Sequence, residues 1–389
     1  MALTGTAIIT SGDGPLGSSI TLEFAKRQPR LHLLLVTRDP SSASVKQVCS
    51  RVRLLGAARS LETVPADLSK FSSILSFADA TVARVRSGEI PPIAVLVNCA
   101  GTTTSYELDG RTVEGFDRVY QVNCLAPFLL TVSLLEGFRA GSSRSSTRSA
   151  GPRPRTATAT AAAAVMAPGA CVVNVGCSAM TPGNLEFFES DWEKGREVGT
   201  QLGGKEGLKR FGSSKLLMSV AMYALRRSFL AFGHIPLDIC TVDPGHIQPS
   251  PDTDTDTQRG KPRLQITQRT RTGLSPVLRL FSKTAAVNEP RVPAKAIVEI
   301  ACRHSNCDNE SSSSGSGGGG GGGGGERGNR CYYLDNTERY YILDDEYEAG
   351  SVINVLRDGK IVDNVFQRVM RQVGMADGTK TTTPPPEMI

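Results

Sequence analysis

A glycine-rich segment near the N-terminus, residues 12–17 with the sequence GDGPLG, fits the pattern G-x-G-x-x-G. It directly follows a short apolar run rich in β-branched residues and opens a helical pattern. Glycines at these positions let the backbone turn tightly and approach a pyrophosphate, which then sits on the N-terminus of the helix. The segment therefore predicts a dinucleotide site. A glycine-rich turn that binds nothing is the simpler interpretation, and the motifs described below weigh against it.

The end of the second predicted strand indicates which dinucleotide would bind. Sites for NAD place an acidic residue there, which holds the 2′-hydroxyl of the ribose. This chain has the small, neutral Thr37, which leaves room, followed by Arg38. A guanidinium is suited to pair with a 2′-phosphate. The pattern therefore favours NADP(H) over NAD(H).

Short apolar runs alternate with helical patterns along the chain. Strands are predicted at residues 6–10, 31–37, 62–66, 93–98, 171–175 and 237–242, and helices at 16–26, 44–55, 71–85, 113–138 and 211–230. Continuous apolar strands separated by helices of this length are typical of a parallel sheet covered by helices on both faces. We therefore expect an α/β fold with a doubly wound, mostly parallel, Rossmann-type sheet. It should have about seven strands, the last of them at residues 330–334.

The composition predicts a single domain over residues 1–373. Residues 141–164 are rich in Ser, Arg, Thr, Pro and Ala, and residues 311–325 are Ser and Gly ending in nine consecutive glycines. Neither segment can bury enough apolar area to offset the entropy lost on ordering it. We expect disordered insertions at about 139–168 and 305–329, and a flexible tail at 374–389.

Further motifs lie at the ends of the predicted strands. They are Asp67-Leu68 after the third strand, residues 98–101 (NCAG) after the fourth, Asn123 inside the long helix, and residues 243–246 (DPGH) after the sixth strand. With the glycine-rich turn, they resemble the short-chain dehydrogenase/reductase family over about residues 5–139, 171–245 and, more loosely, as far as 374. Residues 88–93 (GEIPPI) and 209–216 (KRFGSSKL) resemble a mostly uncharacterised fungal branch of that family and, more distantly, its retinol-dehydrogenase-type members.

The resemblance implies a role for each motif. Asp67 would contact adenine, Asn123 would organise a water in a proton relay, and the DPGH segment would lie beside the nicotinamide. Lys215 would bond the nicotinamide ribose. The cofactor-binding residues expected on this basis are Thr10, Gly12, Gly14, Leu16, Gly17, Thr37, Arg38, Asp67, Leu68, Asn98, Ala100, Gly101, Lys215, Pro244 and Gly245.

The phosphate loop departs from the family's pattern T-G-x-x-x-G-x-G. Ser11 replaces the first glycine and Pro15 the second, while Gly12 and Gly14 lie one position away. Proline is accepted in the first turn of a helix because its missing N–H would be unpaired there. That N–H, however, would otherwise be able to bond phosphate. The departure therefore puts the affinity for the cofactor in doubt and leaves the fold unaffected.

The catalytic positions depart further. The family transfers a hydride between nicotinamide and a carbonyl/alcohol pair, with a tyrosine as proton donor, a lysine four residues later on the same helical face, and a serine after the fifth strand. Here the tyrosine position is Phe211, the lysine is Lys215, and the serine position is Cys177 with Ser178 beside it. With Asn123, these residues form the catalytic set expected.

The two replacements predict low or altered activity. A general acid contributes about 10²–10⁴ in rate, and phenylalanine has no proton to give, while a thiol is a weak hydrogen-bond partner. No tyrosine is an obvious substitute: Tyr223 lies further along the helix, and Tyr120 would need an unusual geometry.

Three functions stay open at this point. The first is an NADP(H)-dependent oxidoreductase acting on an unknown small carbonyl or alcohol. The second is a non-catalytic nucleotide-binding or scaffold protein, a pseudoenzyme, and the third is a non-redox enzyme on the same fold. Each is compatible with a homo-oligomer.

Composition narrows the context. Nine cysteines are scattered singly without a C-x-x-C pair, which favours reduced thiols and argues against a disulfide framework or a zinc site. The net charge of +6 comes largely from local arginine and lysine clusters, which are most simply solvated loops, so no nucleic-acid partner is expected. No signal peptide and no membrane-spanning run are evident in the sequence, so a cytoplasmic location is the expectation.

Overall fold

The computed structural model describes residues 3–56, 60–103, 110–138, 170–177, 180, 183–188, 205–232, 237–247, 287–305, 332–334, 340–342 and 355–375. Its strands are β1 Gly5–Thr10, β2 Leu31–Thr37, β3 Ser60–Pro65, β4 Ile93–Asn98, β5 Ala170–Val175, β6 Leu237–Asp243, β7 His246–Ile247, β8 Val287–Asn288, β9 Tyr332–Leu334 and β10 Tyr340–Ile342. Its long helices are α1 Pro15–Arg27, α2 Ala43–Leu54, α3 Phe71–Ser87, α5 Lys205–Phe232, α6 Arg291–Ser305 and α7 Gly359–Gln372. Helix α4 comprises Arg118–Tyr120, a π-helical turn at Gln121–Leu125, and Ala126–Ser133; a 3₁₀ turn, Leu135–Phe138, follows.

The main sheet confirms the predicted fold class. Its order is β10-β9-β6-β5-β4-β1-β2-β3, and the six strands from β3 to β6 are parallel to one another. The chain thus winds outward from β1 to β3 and then back across to β4, β5 and β6. That reversal makes the sheet doubly wound and opens a crevice at the carboxyl ends of β1 and β4.

The far edge of the sheet differs from the expectation of about seven strands. The predicted last strand is present as β9, but it pairs antiparallel with β6, and β10 pairs antiparallel with β9. The described part of the chain therefore has eight strands in this sheet. Five residues separate β9 from β10, fewer than the dozen or so that a parallel crossover connection needs.

Alternation along the strands distributes the core over two faces. In β1, Ile8 packs with the side chains of α3, α4, α5 and α7, whereas Ala7 and Ile9 pack with those of α1, α2 and α6. All six residues of β1 are buried, as a central parallel strand requires. Helices on both faces hold the carboxyl ends of β1, β4, β5 and β6 at one edge.

Two helices begin at residues other than those predicted. The stretch predicted from residue 113 becomes helical at Arg118, because the Asp117 carboxylate accepts hydrogen bonds from the N–H groups of Val119 and Tyr120 and caps the helix there. The turn before it contains Gly115 at a φ of 81°. Helix α5 starts earlier than residue 211, at Lys205.

Several predictions concern residues outside the described ranges. They include the insertions at 139–168 and 306–329 and residues 376–389 of the predicted tail. Within the described ranges, no helix is both long and apolar enough to cross a membrane.

Candidate functional site

The nucleotide loop joins β1 to α1. The N–H of Gly14 donates to the Ser11 carbonyl oxygen over 3.0 Å and closes the turn, and Pro15 is the first residue of the helix. No side chain caps the N-terminus of α1, and its first turn has no acidic residue. The partial positive charge of the helix dipole is therefore not neutralised by these groups, which suits a pyrophosphate.

Two glycines let the loop lie directly against its neighbours. A Cβ atom on Gly17 would lie 2.1 Å from the Ser11 carbonyl oxygen, and one on Gly12 would lie 2.7 Å from the Leu35 side chain. Real Cβ atoms do not approach other atoms so closely. The backbone turn of the loop therefore depends on both glycines, and this close packing is what a dinucleotide-binding turn requires.

Ser11 adopts a conformation that suits glycine better. Its φ is 54°, and it is the one non-glycine residue with a positive φ in the described part of the chain. The left-handed region costs an L-residue about 1–2 kcal/mol. The replacement of the family's first glycine by Ser11 therefore leaves the backbone in the glycine conformation, at a cost in stability.

We expect Ser11→Gly to stabilise the protein by about 0.5–1 kcal/mol, because relief of the left-handed strain outweighs the extra freedom of glycine in the unfolded chain. Denaturant unfolding measures the change. Ser18→Gly is the control, since Ser18 lies in helix α1 and its replacement should destabilise the protein slightly. A loss of stability in Ser11→Gly would show that its φ is not strained.

Thr10 and Asn98 hold the edge of the sheet together. The Thr10 hydroxyl donates to the Val97 carbonyl oxygen over 3.3 Å and accepts from the N–H of Ala100 over 2.9 Å. The Asn98 amide donates to the Asn174 side-chain oxygen over 2.8 Å, and both side chains are buried. Both residues were expected to contact the cofactor, but these hydrogen bonds position the turns after β1 and β4.

The ends of β2 and β3 bring opposite charges together. Thr37 is buried, and Arg38 follows it at the surface. Burial raises the pKa of Asp67, but hydrogen bonds from Ser69 and the charges of Lys70 and Arg38 outweigh it, so the pKa of Asp67 lies below its ordinary value. The Asp67 carboxylate, which Lys70 faces at 3.9 Å, and the exposed Arg38 thus both lie at the ends of β2 and β3.

Asn123 lies in the π-helical turn of α4 and ties three elements together. Its Oδ1 accepts from the N–H of Thr102 over 2.8 Å, and its Nδ2 donates to the Thr102 carbonyl oxygen over 2.7 Å. Nδ2 also lies 3.0 Å from the Ser214 hydroxyl on α5, which in turn donates to the Phe211 carbonyl oxygen. Single π-helical turns within α-helices are frequent at functional sites.

Lys215 reaches the same place from helix α5. Its side chain is buried, and its Nζ donates to the Val175 carbonyl oxygen at the end of β5 over 2.8 Å. A Cβ on Gly101 would lie 3.4 Å from both Lys215 Nζ and Asn123 Oδ1. Burial lowers the pKa of Lys215 below its ordinary value of 10.5, while the thiols of Cys177, Cys99 and Cys124 act more weakly in the opposite direction. The structure thus assembles Asn123, Lys215 and Gly101 at the ends of β4 and β5.

The two positions where the family has its catalytic tyrosine and serine lie beside this cluster. Phe211 is half-buried one helical turn before Lys215, and Cys177 is half-buried two residues after β5. Ser178 lies outside the described residues. Tyr120 is no substitute acid, because its hydroxyl donates to Gln372 over 2.7 Å and its ring stacks on Phe188 at 4.6 Å, towards α7.

Asp243 and Ser214 are polar groups of this region to which no sequence motif assigns a role. Asp243 is the last residue of β6 and is buried; its carboxylate accepts from the N–H of Gly245 over 2.8 Å. Burial raises the pKa of Asp243 to about 6, although that hydrogen bond opposes the shift. The sequence could have indicated Asp243, because an Asp at the end of an apolar strand is often buried. It could also have indicated Ser214, which directly precedes Lys215.

The remaining predicted cofactor contacts lie on these same turns. Leu16 is buried at the start of α1, and Leu68 is buried after Asp67. Pro244 and Gly245 follow β6, and Gly245 has a φ of 68°. All of them lie at the carboxyl edge of the sheet.

Comparison with known proteins agrees with this geometry. Residues 5–146 match the family model described as short chain dehydrogenase. Among curated proteins, the chain is 34% identical over 143 residues to the short-chain dehydrogenase iccH of Talaromyces variabilis, which covers 34% of this chain and 37% of that protein. It is 30% identical over 143 residues to polyprenol dehydrogenase of Homo sapiens, covering 36% and 40% of the two chains. The matched stretch thus spans well under half the length of these relatives.

Solved structures also resemble the chain. The Pseudomonas aeruginosa RhlG/NADP active-site complex has a TM-score of 0.48 at 18% identity and covers 77% of this chain and 90% of that one. A short-chain dehydrogenase/reductase from Serratia marcescens has a TM-score of 0.48 at 13% identity, with 77% and 92% covered. The match of residues 5–146 to the family model shows that this part of the chain is similar to the short-chain dehydrogenase/reductase family.

Proposed function

We propose that this protein is an NADP(H)-dependent oxidoreductase that interconverts a carbonyl and an alcohol, with low or altered activity. The observation that carries the proposal is the nucleotide loop, where Gly17 leaves no room for a Cβ and no side chain caps the N-terminus of α1. A pyrophosphate bound at this tight turn would interact with the N-terminus of α1 where no side chain caps it.

The residues that would hold such a cofactor lie on turns at one edge of the sheet. The backbone of Gly12, Gly14 and Gly17 would approach the pyrophosphate, and Arg38 beside Thr37 would pair with a 2′-phosphate. Lys215 would bond the nicotinamide ribose from between the ends of β4 and β5. When bound, the cofactor supplies or accepts a hydride.

The chain's own residues limit the proton transfer that must accompany the hydride. Phe211 stands one turn before Lys215 without a hydroxyl, and Cys177 stands where a serine would hold the substrate oxygen. Loss of a general acid costs about 10²–10⁴ in rate. We therefore expect carbonyl reduction well below the rate of an enzyme with an intact tyrosine and serine.

A non-catalytic nucleotide-binding protein is the second candidate, and Phe211 and Cys177 are the residues that favour it. It shares every cofactor contact with the first candidate and differs only in turnover. A non-redox enzyme on the same fold would form product without any change in nicotinamide absorbance.

Isothermal titration calorimetry with NADPH, NADP⁺ and NADH is the first test. The proposal expects binding of NADPH, together with a slow, carbonyl-dependent loss of nicotinamide absorbance. Binding without turnover on a panel of diketones and quinones would favour the second candidate. The absence of binding by any of the three nucleotides would contradict both.

Cofactor choice is tested by Arg38→Ala. We expect the natural protein to bind NADPH at least about 10-fold more tightly than NADH, because a guanidinium–phosphate pair is worth roughly 1.5–3 kcal/mol. The substitution should remove most of that difference by weakening NADPH binding alone. Arg53→Ala, a change of the same charge at the exposed end of α2, is the control. Equal affinities for the two nucleotides in the natural protein would refute the assignment.

A further inference from the structure

The candidate site lacks a tyrosine but holds a buried cation. The ammonium of Lys215 has three N–H bonds, of which one goes to the Val175 carbonyl oxygen. Among the described residues, no other acceptor takes the remaining two. Lys215 is 3% exposed, and a Cβ on Gly101 would lie 3.4 Å from both its Nζ and Asn123 Oδ1, so the ammonium is buried beside the turn that follows β4.

The surroundings of Lys215 are unusual for a buried lysine. Its charge interacts with the thiols of Cys177 after β5, Cys99 after β4 and Cys124 on α4, and Asp13 acts on Cys99 from the nucleotide loop. Among the described residues, no carboxylate contributes to its titration. Burial without a carboxylate partner destabilises the charged form and makes the ammonium a stronger acid than an exposed lysine.

The other described polar groups of the site are less available as proton donors at pH 7. The Ser214 hydroxyl already donates to the Phe211 carbonyl oxygen. Burial raises the pKa of Asp243 to about 6, which leaves only about a tenth of its carboxyl protonated at pH 7. The Tyr120 hydroxyl donates to the Gln372 side chain of α7 over 2.7 Å.

We propose that the Lys215 ammonium, in place of a tyrosine hydroxyl, delivers the proton to the substrate oxygen in this protein. The proposal rests on the oxidoreductase function proposed above. The substrate carbonyl carbon accepts a hydride from the reduced nicotinamide, which is oxidised to NADP⁺, and the carbonyl oxygen accepts the proton from Nζ. Lys215 is left as a neutral amine and regains a proton from water.

The sign of the pH dependence follows from the acid form. The pKa of Lys215 is lowered, so its ammonium is fully present at low pH and is lost as pH rises through that lowered value. Carbonyl reduction should therefore fall on the alkaline side with the midpoint of Lys215. A reaction that used Asp243 as the acid would instead decline above about pH 6.

Nuclear magnetic resonance of protein labelled with carbon-13 lysine measures the midpoint without any turnover. The Lys215 signal is assigned by its loss in Lys215→Arg. We expect it to titrate below the ordinary value for lysine, at the pH where kcat for carbonyl reduction by NADPH declines. A Lys215 midpoint at or above the ordinary value, or a kcat profile that does not follow it, would overturn the proposal.

Lys215→Arg tests the proton itself, because arginine keeps the positive charge and does not deprotonate. We expect kcat to fall about 100-fold while the Kd for NADPH changes less than about 5-fold. Adding Phe211→Tyr to Lys215→Arg should restore activity at least about 10-fold, a recovery that a merely structural lysine would not permit. Lys209→Arg, at an exposed position on the same helix, is the control.

The failure of this proposal is distinguishable from the failure of the oxidoreductase function. A natural protein that reduces carbonyls, and whose Lys215→Arg variant does so within about 3-fold, would overturn the role of Lys215 alone. In that case Cys177→Ala identifies whether the thiol donates the proton. A natural protein that binds NADPH and reduces nothing would overturn both.

Discussion

The double variant Phe211→Tyr/Cys177→Ser should gain carbonyl-reductase activity of at least about 100-fold in kcat/KM over the natural protein. Phe211 lies one helical turn before Lys215, so a tyrosine there places a hydroxyl on the lysine's face of α5. The serine adds a hydroxyl beside the end of β5, where the substrate oxygen would lie. The gain is measured from the loss of NADPH absorbance on a panel of diketones and quinones.

The two changes should act more than additively, because residues that serve one proton transfer behave as a unit. Phe187→Tyr and Cys49→Ser are matched controls, since they add the same hydroxyls at half-buried positions outside the proposed catalytic set. If the double variant binds NADPH and reduces nothing, the pocket itself is not built for a carbonyl, and a binding or scaffold role is preferred. Brisk turnover by the natural protein would show instead that Phe211 is not a disabling change.

Gly17→Ala should destabilise the protein by about 3 kcal/mol or more and abolish NADPH binding. The added Cβ would lie 2.1 Å from the Ser11 carbonyl oxygen and 3.0 Å from the Cα of Gly12, so it meets backbone that cannot rotate away. The loop and the start of α1 must then separate. For a domain of this class we expect the melting temperature to fall by roughly 6–12 °C.

Gly14→Ala is the matched control in the same loop. A Cβ there would meet only the Ser11 hydroxyl at 3.2 Å and the Ser11 carbonyl oxygen at 3.4 Å, contacts that a small shift relieves. Its melting temperature should change by less than a third as much. Equal effects of the two substitutions would show that loss of backbone freedom, and not the clash at Gly17, controls the loop.

The order of the strands and helices could be predicted from the sequence because it depends on local patterns of apolar and polar residues. The runs at residues 31–37 and 93–98 became β2 and β4 with the same bounds, and Pro15 opens α1 as its chemistry allows. Continuous apolar strands and intervening helices determine a parallel sheet, since only helices on both faces bury such strands. The antiparallel pairing of β9 with β6 could not be predicted from the sequence, because a three-residue strand carries too little pattern to reveal its direction.

The residue types of the candidate site were likewise readable from the sequence. The glycines of the loop, Asn123 and Lys215 were identified by motif, as were the two replacements, Phe211 and Cys177. The environments of these residues in the folded protein could not be predicted from the sequence. Ser11 takes a glycine-like φ of 54°, which depends on how tightly α1 packs against the loop. Thr10 bonds the backbone of β4 and of the turn that follows it, about ninety residues further along the chain. Such a distant contact cannot be predicted from local sequence.

The sequence by itself determined the parallel sheet, the resemblance to the short-chain dehydrogenases and the absence of a tyrosine four residues before Lys215, because each depends on residue type and spacing along the chain. Only the tertiary structure decided how acidic the remaining groups are. The pKa of Lys215 is lowered and that of Asp243 is raised because folding removes both from water. Burial depends on which distant strands and helices cover a side chain, and no local pattern records that.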